Sequence, residues 1–198
     1  MNFYRELPAG YRAVKEIDAV GNKKFAVGMN LAALPLTLVS GAAAWLLRFS
    51  GEAFVLDNLM SLSLACLALC AGTIAYLVLH ELTHGLVYRL MTGEKLSFGL
   101  SWSCAWCGVP DIYVTRKTAL CALLAPFVLF NTVFAALIAL CGGLAAAVCI
   151  VLFAIHFGGC AGDLYDTYLL LFRLRGDILM RDTGPKQTFY APDSTFSA

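Results

Sequence analysis

The sequence predicts an all-α polytopic membrane protein with four transmembrane helices, both termini cytoplasmic, and a small β-hairpin in the loop between helices 2 and 3. Three observations carry this. First, 60% of the 198 residues are hydrophobic and only 14% are charged, where soluble globular chains carry roughly 25% charged residues; mean hydropathy is +0.77. Second, four apolar runs each exceed the ~20 residues needed to cross a bilayer's hydrocarbon core. Third, the cationic side chains fall between these runs in a one-sided pattern.

The runs cover residues 25–47, 58–90, 118–140 and 143–172 of one membrane domain spanning 1–198. The second and fourth are longer than a bilayer requires, so they tilt, project or break. A break is expected at Gly158-Gly159-Cys160-Ala161-Gly162, where small residues dominate. Arg5, Arg12, Lys15, Lys23 and Lys24 precede the first run; Arg89, Lys95, Arg116 and Lys117 lie between the second and third; Arg173, Arg175, Arg181 and Lys186 follow the fourth. Only Arg48 lies in the first external loop, so thirteen of fourteen cations share one face. Positive charge is retained on the cytoplasmic side, which puts both termini there. The 24 residues before the first run include Glu6, Glu16 and Asp18, too long and too acidic a leader for a signal peptide. The expected location is the cell membrane, with a bacterial plasma membrane as the expected host. A net charge of +1 suggests no nucleic-acid partner.

Three polar appendages remain. Tyr11 to Val20 alternates loosely, as a short strand would. The cytoplasmic loop 91–117 holds two β-prone runs, Leu96 to Trp102 and Asp111 to Thr115, separated by a stretch containing Gly108-Val109-Pro110; paired, they form the hairpin. The tail 176–198 is polar and expected to be mobile at its end. Of eight cysteines, Cys66, Cys70, Cys121, Cys141, Cys149 and Cys160 lie in or at the ends of apolar runs and read as small apolar residues. Cys104 and Cys107 form a C-x-x-C pair on the reducing side, so no structural disulfide is expected. Two cysteines make half a metal site.

One segment carries chemistry: His80-Glu81-Leu82-Thr83-His84. Histidines at i and i+4 present both imidazoles on one helical face, a turn apart, where they can grip one ion. Glu81 then stands beside that ion as a base, able to take a proton from an attacking water and return it to a leaving amine. Ionisable groups inside an apolar segment are costly and point to function. The segment lies five to nine residues before Arg89, within about 8–14 Å of the cytoplasmic end of its helix, so water has access from that side.

Catalytic zinc usually takes three protein ligands and leaves one position open. The longer H-E-x-x-H-x-x-G-x-x-H pattern fails, because Val87 and Leu90 stand where glycine and the third histidine belong. The only later glutamate is Glu94, in the polar loop. Asp163, Asp166 and His156 remain as candidates from the fourth run. Asp163 is favoured because it follows Gly162 at the small-residue break, where the chain can approach an ion closely. Asp166 reads as a supporting group, His156 as a ligand, a transition-state donor or a satisfied buried residue, and Asn131 in the third run as an interhelical hydrogen-bonding group.

His80-Glu81-Leu82-Thr83-His84-Gly85, followed two runs later by Gly159-Cys160-Ala161-Gly162-Asp163, resembles the DUF3267 family of zincin-type peptidases. Leu7-Pro8-Ala9-Gly10-Tyr11 and Leu124-Ala125-Pro126 belong to the same likeness. That family in turn is similar to the site-2 protease group of intramembrane metalloproteases, in which the first motif sits in the first of three core helices and an aspartate in the third completes the zinc site. His156 appears near where that group has asparagine, and Leu164 follows Asp163 where it has glycine. The resemblance implies one Zn2+ per chain held by His80, His84 and Asp163, with Glu81 as the catalytic base. The expected partners are the lipid bilayer and a transmembrane or membrane-associated protein substrate; the oligomeric state is left open. The alternative function is a non-hydrolytic metal-binding membrane protein: a transporter, a regulator or an inactive protease-like adaptor.

Overall fold

The computed structural model describes residues 2–49, 58–101 and 104–193. Two short strands open the chain, β1 (Phe3–Tyr4) and β2 (Tyr11–Asp18), before helix α1 (Lys23–Phe49). Asn22 starts α1: its Oδ1 accepts from the Phe25 N–H at 3.1 Å, which satisfies one of the donors a helix start leaves free. Helix α2 (Leu59–Thr92) begins the same way, with the Ser61 N–H on Asn58 Oδ1 at 2.9 Å. It stops at Gly93, whose φ of +73° is costly for any residue with a Cβ. Arg89 then donates to the Glu94 carbonyl at 3.0 Å, a cation serving the helix's negative end.

Three strands fill the next loop: β3 (Ser97–Leu100), β4 (Ala105–Gly108) and β5 (Tyr113–Thr115). Helix α3 (Arg116–Leu140) follows, then α4 (Gly143–Gly159) and α5 (Ala161–Tyr168). The fourth apolar stretch is thus interrupted at Cys160, whose N–H closes on the His156 carbonyl at 3.0 Å. It ends in a widened π turn over Leu169–Arg173. Arg116 caps that end by donating to the carbonyls of Leu170, Leu174 and Gly176. The chain closes with β6 (Leu179–Asp182) and β7 (Lys186–Pro192).

Four helical stretches are long and apolar enough to cross a membrane: Lys23–Phe49, Leu59–Thr92, Arg116–Leu140 and Gly143–Arg173. Leu31, Leu38 and Leu47 on α1 and Leu67, Leu77 and Leu90 on α2 are all exposed. So apolar a surface is consistent with a membrane protein.

The strands correct the all-helical expectation in two ways. The hairpin in the loop between α2 and α3 joins β3 to β4, with Ser97 opposite Gly108 and Leu100 opposite Ala105. It does not join the Leu96 run to the Asp111 run; Trp102 lies outside the described residues. A tighter turn wins, closed by the Ser101 N–H on the Cys104 carbonyl at 2.8 Å. The Asp111 run instead supplies β5 to a second, antiparallel sheet in the order β1-β5-β6-β7-β2. This sheet recruits the tail, expected to be polar and mobile at its end, as its hairpin β6-β7. The N-terminal segment pairs along almost its whole length with β7, from Tyr11 opposite Pro192 to Asp18 opposite Lys186, with an irregularity between Ala13 and Lys15. Residues 194–198 lie outside the described residues.

The described residues fall into two compact units, one comprising Met1–Gly28, His80–Pro126 and Gly162–Ala198, the other Met29–Leu79 and Phe127–Ala161. The first is built on a core of Ile17, Tyr88, Val109, Val114, Leu170, Met180 and Phe189, among others. The second has two smaller clusters, one around Phe49, Ala146 and Ile150 and one around Tyr76, Phe130 and Phe134.

Within the first unit the hairpin lies on α2 at Gly85. A Cβ there would stand 2.9 Å from the Phe98 ring and 3.1 Å from Cys107 Sγ, so glycine permits the close approach. Asp182 ties the tail to the same helix. Met180 and Asp182 of β6, with Ile178 just before the strand, are all buried, and alternate residues of a strand point the same way. Asp182 Oδ2 accepts from the Tyr88 hydroxyl at 2.8 Å, and its Oδ1 accepts from the Gly184 N–H at 2.9 Å. Its backbone carbonyl accepts from the Val109 N–H at 2.8 Å. Burial pushes the Asp182 carboxyl up to about 6, although these hydrogen bonds favour its charged form. Cys107 is buried too, and burial pushes its thiol up to about 12, which keeps it protonated and a poor nucleophile.

Two outcomes follow from this packing. A Cβ at Gly108 would collide with the Gly184 backbone and lie 2.8 Å from the Asp182 carbonyl oxygen. Backbone cannot swing aside, so Gly108→Ala should cost about 1–3 kcal/mol, measured as a lowered Tm of the detergent-solubilised protein; an unchanged Tm would show that the Gly108–Gly184 approach is not tight. For Asp182, the folded carboxyl holds its proton to about pH 6 while an unfolded one releases it near 3.8. The folded chain therefore binds more protons in that window, and stability falls as pH rises through it. The full gap is worth about 3 kcal/mol. Asp182→Asn abolishes this titration, so the stability of wild type relative to the variant should drop between pH 4 and pH 7; parallel pH–stability curves would refute the assignment.

Candidate metal centre

Each member of the centre is delivered by helix geometry. His80 and His84 stand one turn apart on α2, both buried at 6% and 7% exposure, with ring centroids 4.9 Å apart and planes at 74°. Their Nε2 atoms lie 3.2 Å from each other. Asp163 enters from the first turn of α5, just past the interruption at Cys160. Its Oδ2 lies 3.2 Å from His80 Nε2 and 3.4 Å from His84 Nε2. The Asp163 side chain keeps 19% exposure, so this side of the cluster is not sealed. All of these residues belong to the first unit.

Proton positions follow from the partners. His84 Nδ1 lies 2.8 Å from the Ala122 carbonyl on α3, and a carbonyl can only accept. Nδ1 therefore carries a proton, and once Nε2 is free of its own proton, as metal binding requires, its lone pair points toward the carboxylate and the second imidazole. Three electron-pair donors thus surround one point.

This donor set fits a zinc ion. Zinc bound tetrahedrally at 2.0–2.1 Å holds neighbouring N and O ligands about 3.3–3.4 Å apart; the observed separations are 3.2, 3.2 and 3.4 Å. Two neutral imidazole nitrogens and a carboxylate oxygen are also of the chemical type zinc takes. An Nδ1–H held by a backbone carbonyl is the usual outer support of a metal-binding histidine.

Glu81 follows His80 on α2, half-buried, and its carboxylate interacts electrostatically with His80, His84 and Asp163. Asp166 is buried one turn beyond Asp163 on α5. His156 belongs to the second unit, where its Nδ1 lies 3.1 Å from the Tyr76 hydroxyl amid the rings of Phe127, Phe130 and Phe134. Asn131 donates at 2.7 Å to the Phe127 carbonyl of its own helix. Of the three candidates for a third ligand, Asp163 is the one brought onto the two histidines within their unit.

Two contributors escaped the sequence: the Ala122 carbonyl, because a backbone acceptor leaves no residue signature, and Asp182, because it lies in a tail that reads as polar. The apolar run Ile178-Leu179-Met180 just before Asp182 was the available signal for the second.

No curated protein and no solved structure matches this chain. A family model described as "Putative zincin peptidase" matches residues 73–176, more than half the chain, from the middle of α2 to just past the π turn. The matched stretch contains His80, Glu81, His84 and Asp163, and its description couples zinc with peptide hydrolysis. The chain belongs to the DUF3267 family of zincin peptidases.

Proposed function

We propose that the protein is an intramembrane zinc metalloendopeptidase of the site-2 protease kind, cleaving membrane-embedded or membrane-proximal proteins. The observation that carries this is the meeting of His80, His84 and Asp163 at 3.2–3.4 Å beside Glu81, on helices apolar and long enough to cross a bilayer.

In this reading His80 Nε2, His84 Nε2 and Asp163 Oδ2 hold one zinc ion. When bound, zinc polarises the scissile carbonyl and acidifies water. Glu81, next to His80 on α2, accepts the proton of the attacking water and delivers it to the departing amine. His84 keeps its ring fixed through the Nδ1–H bond to Ala122. Asp163, partly exposed, faces the side from which water and a peptide enter. Asp166 supports Asp163 from the same helix, whereas His156, bound to Tyr76, and Asn131, bound to its own helix, act in packing.

A helical substrate must be unwound before attack, and a strand edge can hold it extended. In β3, alternate residues Phe98 and Leu100 are exposed, and one edge of β3 is taken by β4. The other edge suits an incoming strand.

The test separates binding from chemistry. His80→Ala and Asp163→Ala should abolish stoichiometric zinc in purified protein. Glu81→Gln should retain zinc and lower the cleavage rate of a transmembrane substrate by at least about 10²-fold, the usual share of a general base. Full cleavage by Glu81→Gln would rule out the proposed mechanism and leave a metal-binding membrane protein of another kind.

A further inference from the structure

The acceptor that holds His84 is a helical carbonyl, and in an unbroken α-helix the carbonyl of residue 122 is taken by the N–H of residue 126. Residue 126 is proline, inside α3, and proline has no N–H; its ring also crowds the carbonyl four residues earlier. Both Ala122 and Pro126 are fully buried. A buried carbonyl stripped of its helical donor must find another, and in proline-containing transmembrane helices neighbouring groups supply it. Here the donor is His84 Nδ1–H, at 2.8 Å.

We propose that Pro126 is a positioning residue for the metal centre: by removing one backbone N–H it reserves the Ala122 carbonyl for His84, which fixes the His84 tautomer and turns Nε2 toward Asp163 Oδ2. Geometry supports each link. The Nδ1 contact sets the ring's orientation, and on the far side of the same ring Nε2 stands 3.4 Å from Asp163 Oδ2 and 3.2 Å from His80 Nε2. An N–H restored at 126 competes for Ala122, and the ring is then free to turn or to place its proton on Nε2, where it blocks the lone pair. The inference rests on the proposed zinc site for its consequence, but its first step is a property of the metal-free protein.

The experiment uses full-length protein in detergent with 15N-labelled histidine. In metal-free Pro126→Ala, at a pH where the His84 ring is neutral, its nitrogen shifts should move from those of a single Nδ1–H tautomer toward a mixture. Zinc affinity, read by chelator competition, should fall about 10–100-fold, the usual effect of losing a histidine's outer partner. A second variant carries the α-hydroxy analogue of alanine at 126. Its backbone ester lacks the N–H as proline does but has no ring, and it should restore both the tautomer and the zinc affinity. Pro35, the proline inside α1, provides the control, since Pro35→Ala should leave both readouts unchanged.

Pro126→Ala with wild-type tautomer and affinity would overturn the proposal. So would an ester variant as weak as Pro126→Ala, because the ring's packing would then be the cause. Absence of zinc from the wild type would sink the function proposed above, while the metal-free tautomer would still decide the role of Pro126.

Discussion

Atoms bearing lone pairs repel at close range unless something positive lies among them, and the first unit is organised around one such point. His80 Nε2, His84 Nε2 and Asp163 Oδ2 stand 3.2–3.4 Å apart, drawn from two chain segments more than seventy residues apart. Holding them there is the task of what surrounds them. Helix periodicity fixes the first two relative to each other. The interruption at Cys160 starts a fresh helix, so that Asp163 sits in its first turn, and the Ala122 carbonyl on α3 locks one ring. None of these devices is strong alone. Together they gather donor atoms whose assembly would otherwise cost entropy if an ion were to bind.

The sheet contributes rigidity to the far end of the same helix. Tyr88 lies one turn past His84, so the face of α2 that carries the histidines continues into the hydroxyl bound by Asp182. Asp182 in turn joins β6 to Val109, just after β4, and β4 with its partner β3 lies on Gly85. One helical face thereby carries the two histidines and the tyrosine that anchors the tail, with the glycine on which the hairpin rests on an adjoining face. Displacing the tail would be felt at Tyr88 first, and only then at His84.

Legibility in the sequence divides along the same lines. Long-range apolarity and the i, i+4 histidines are local signals, read within a single helix, and they suffice for the four helices and for two members of the cluster. Asp163 was favoured over Asp166 and His156 because Gly162 precedes it, a weaker cue, since it concerns close approach and not identity. The sheet left little trace. Its strands are short, and their partners are remote: Phe3 pairs with Val114, and Tyr11 with Pro192. A rule that pairs neighbouring β-prone runs therefore joined the wrong two segments, when the Ser101–Cys104 turn closes a smaller loop at lower entropic cost. The Ala122 carbonyl had no side-chain signature at all, and only the proline four residues later marks it.

That asymmetry bears on how the proposed hydrolytic centre could work on such apolar helices. Hydrolysis needs water, whereas Leu67, Leu77 and Leu90 of α2 present a surface fit for hydrocarbon. The two demands are met by different faces of one helix. Charged and polar groups (Glu81, His84, Tyr88, Asp163 and Asp182) concentrate in the first unit, beside a sheet whose strands come from the chain's polar segments. Tyr88, His84 and Asp182 are buried there, each with a hydrogen-bond partner, and the Asp163 side of the cluster is partly open. Polar groups on one face of the helix are thus held by partners from the strands, while the opposite face stays apolar. The β-structure, whose pairing the sequence did not reveal, supplies those partners.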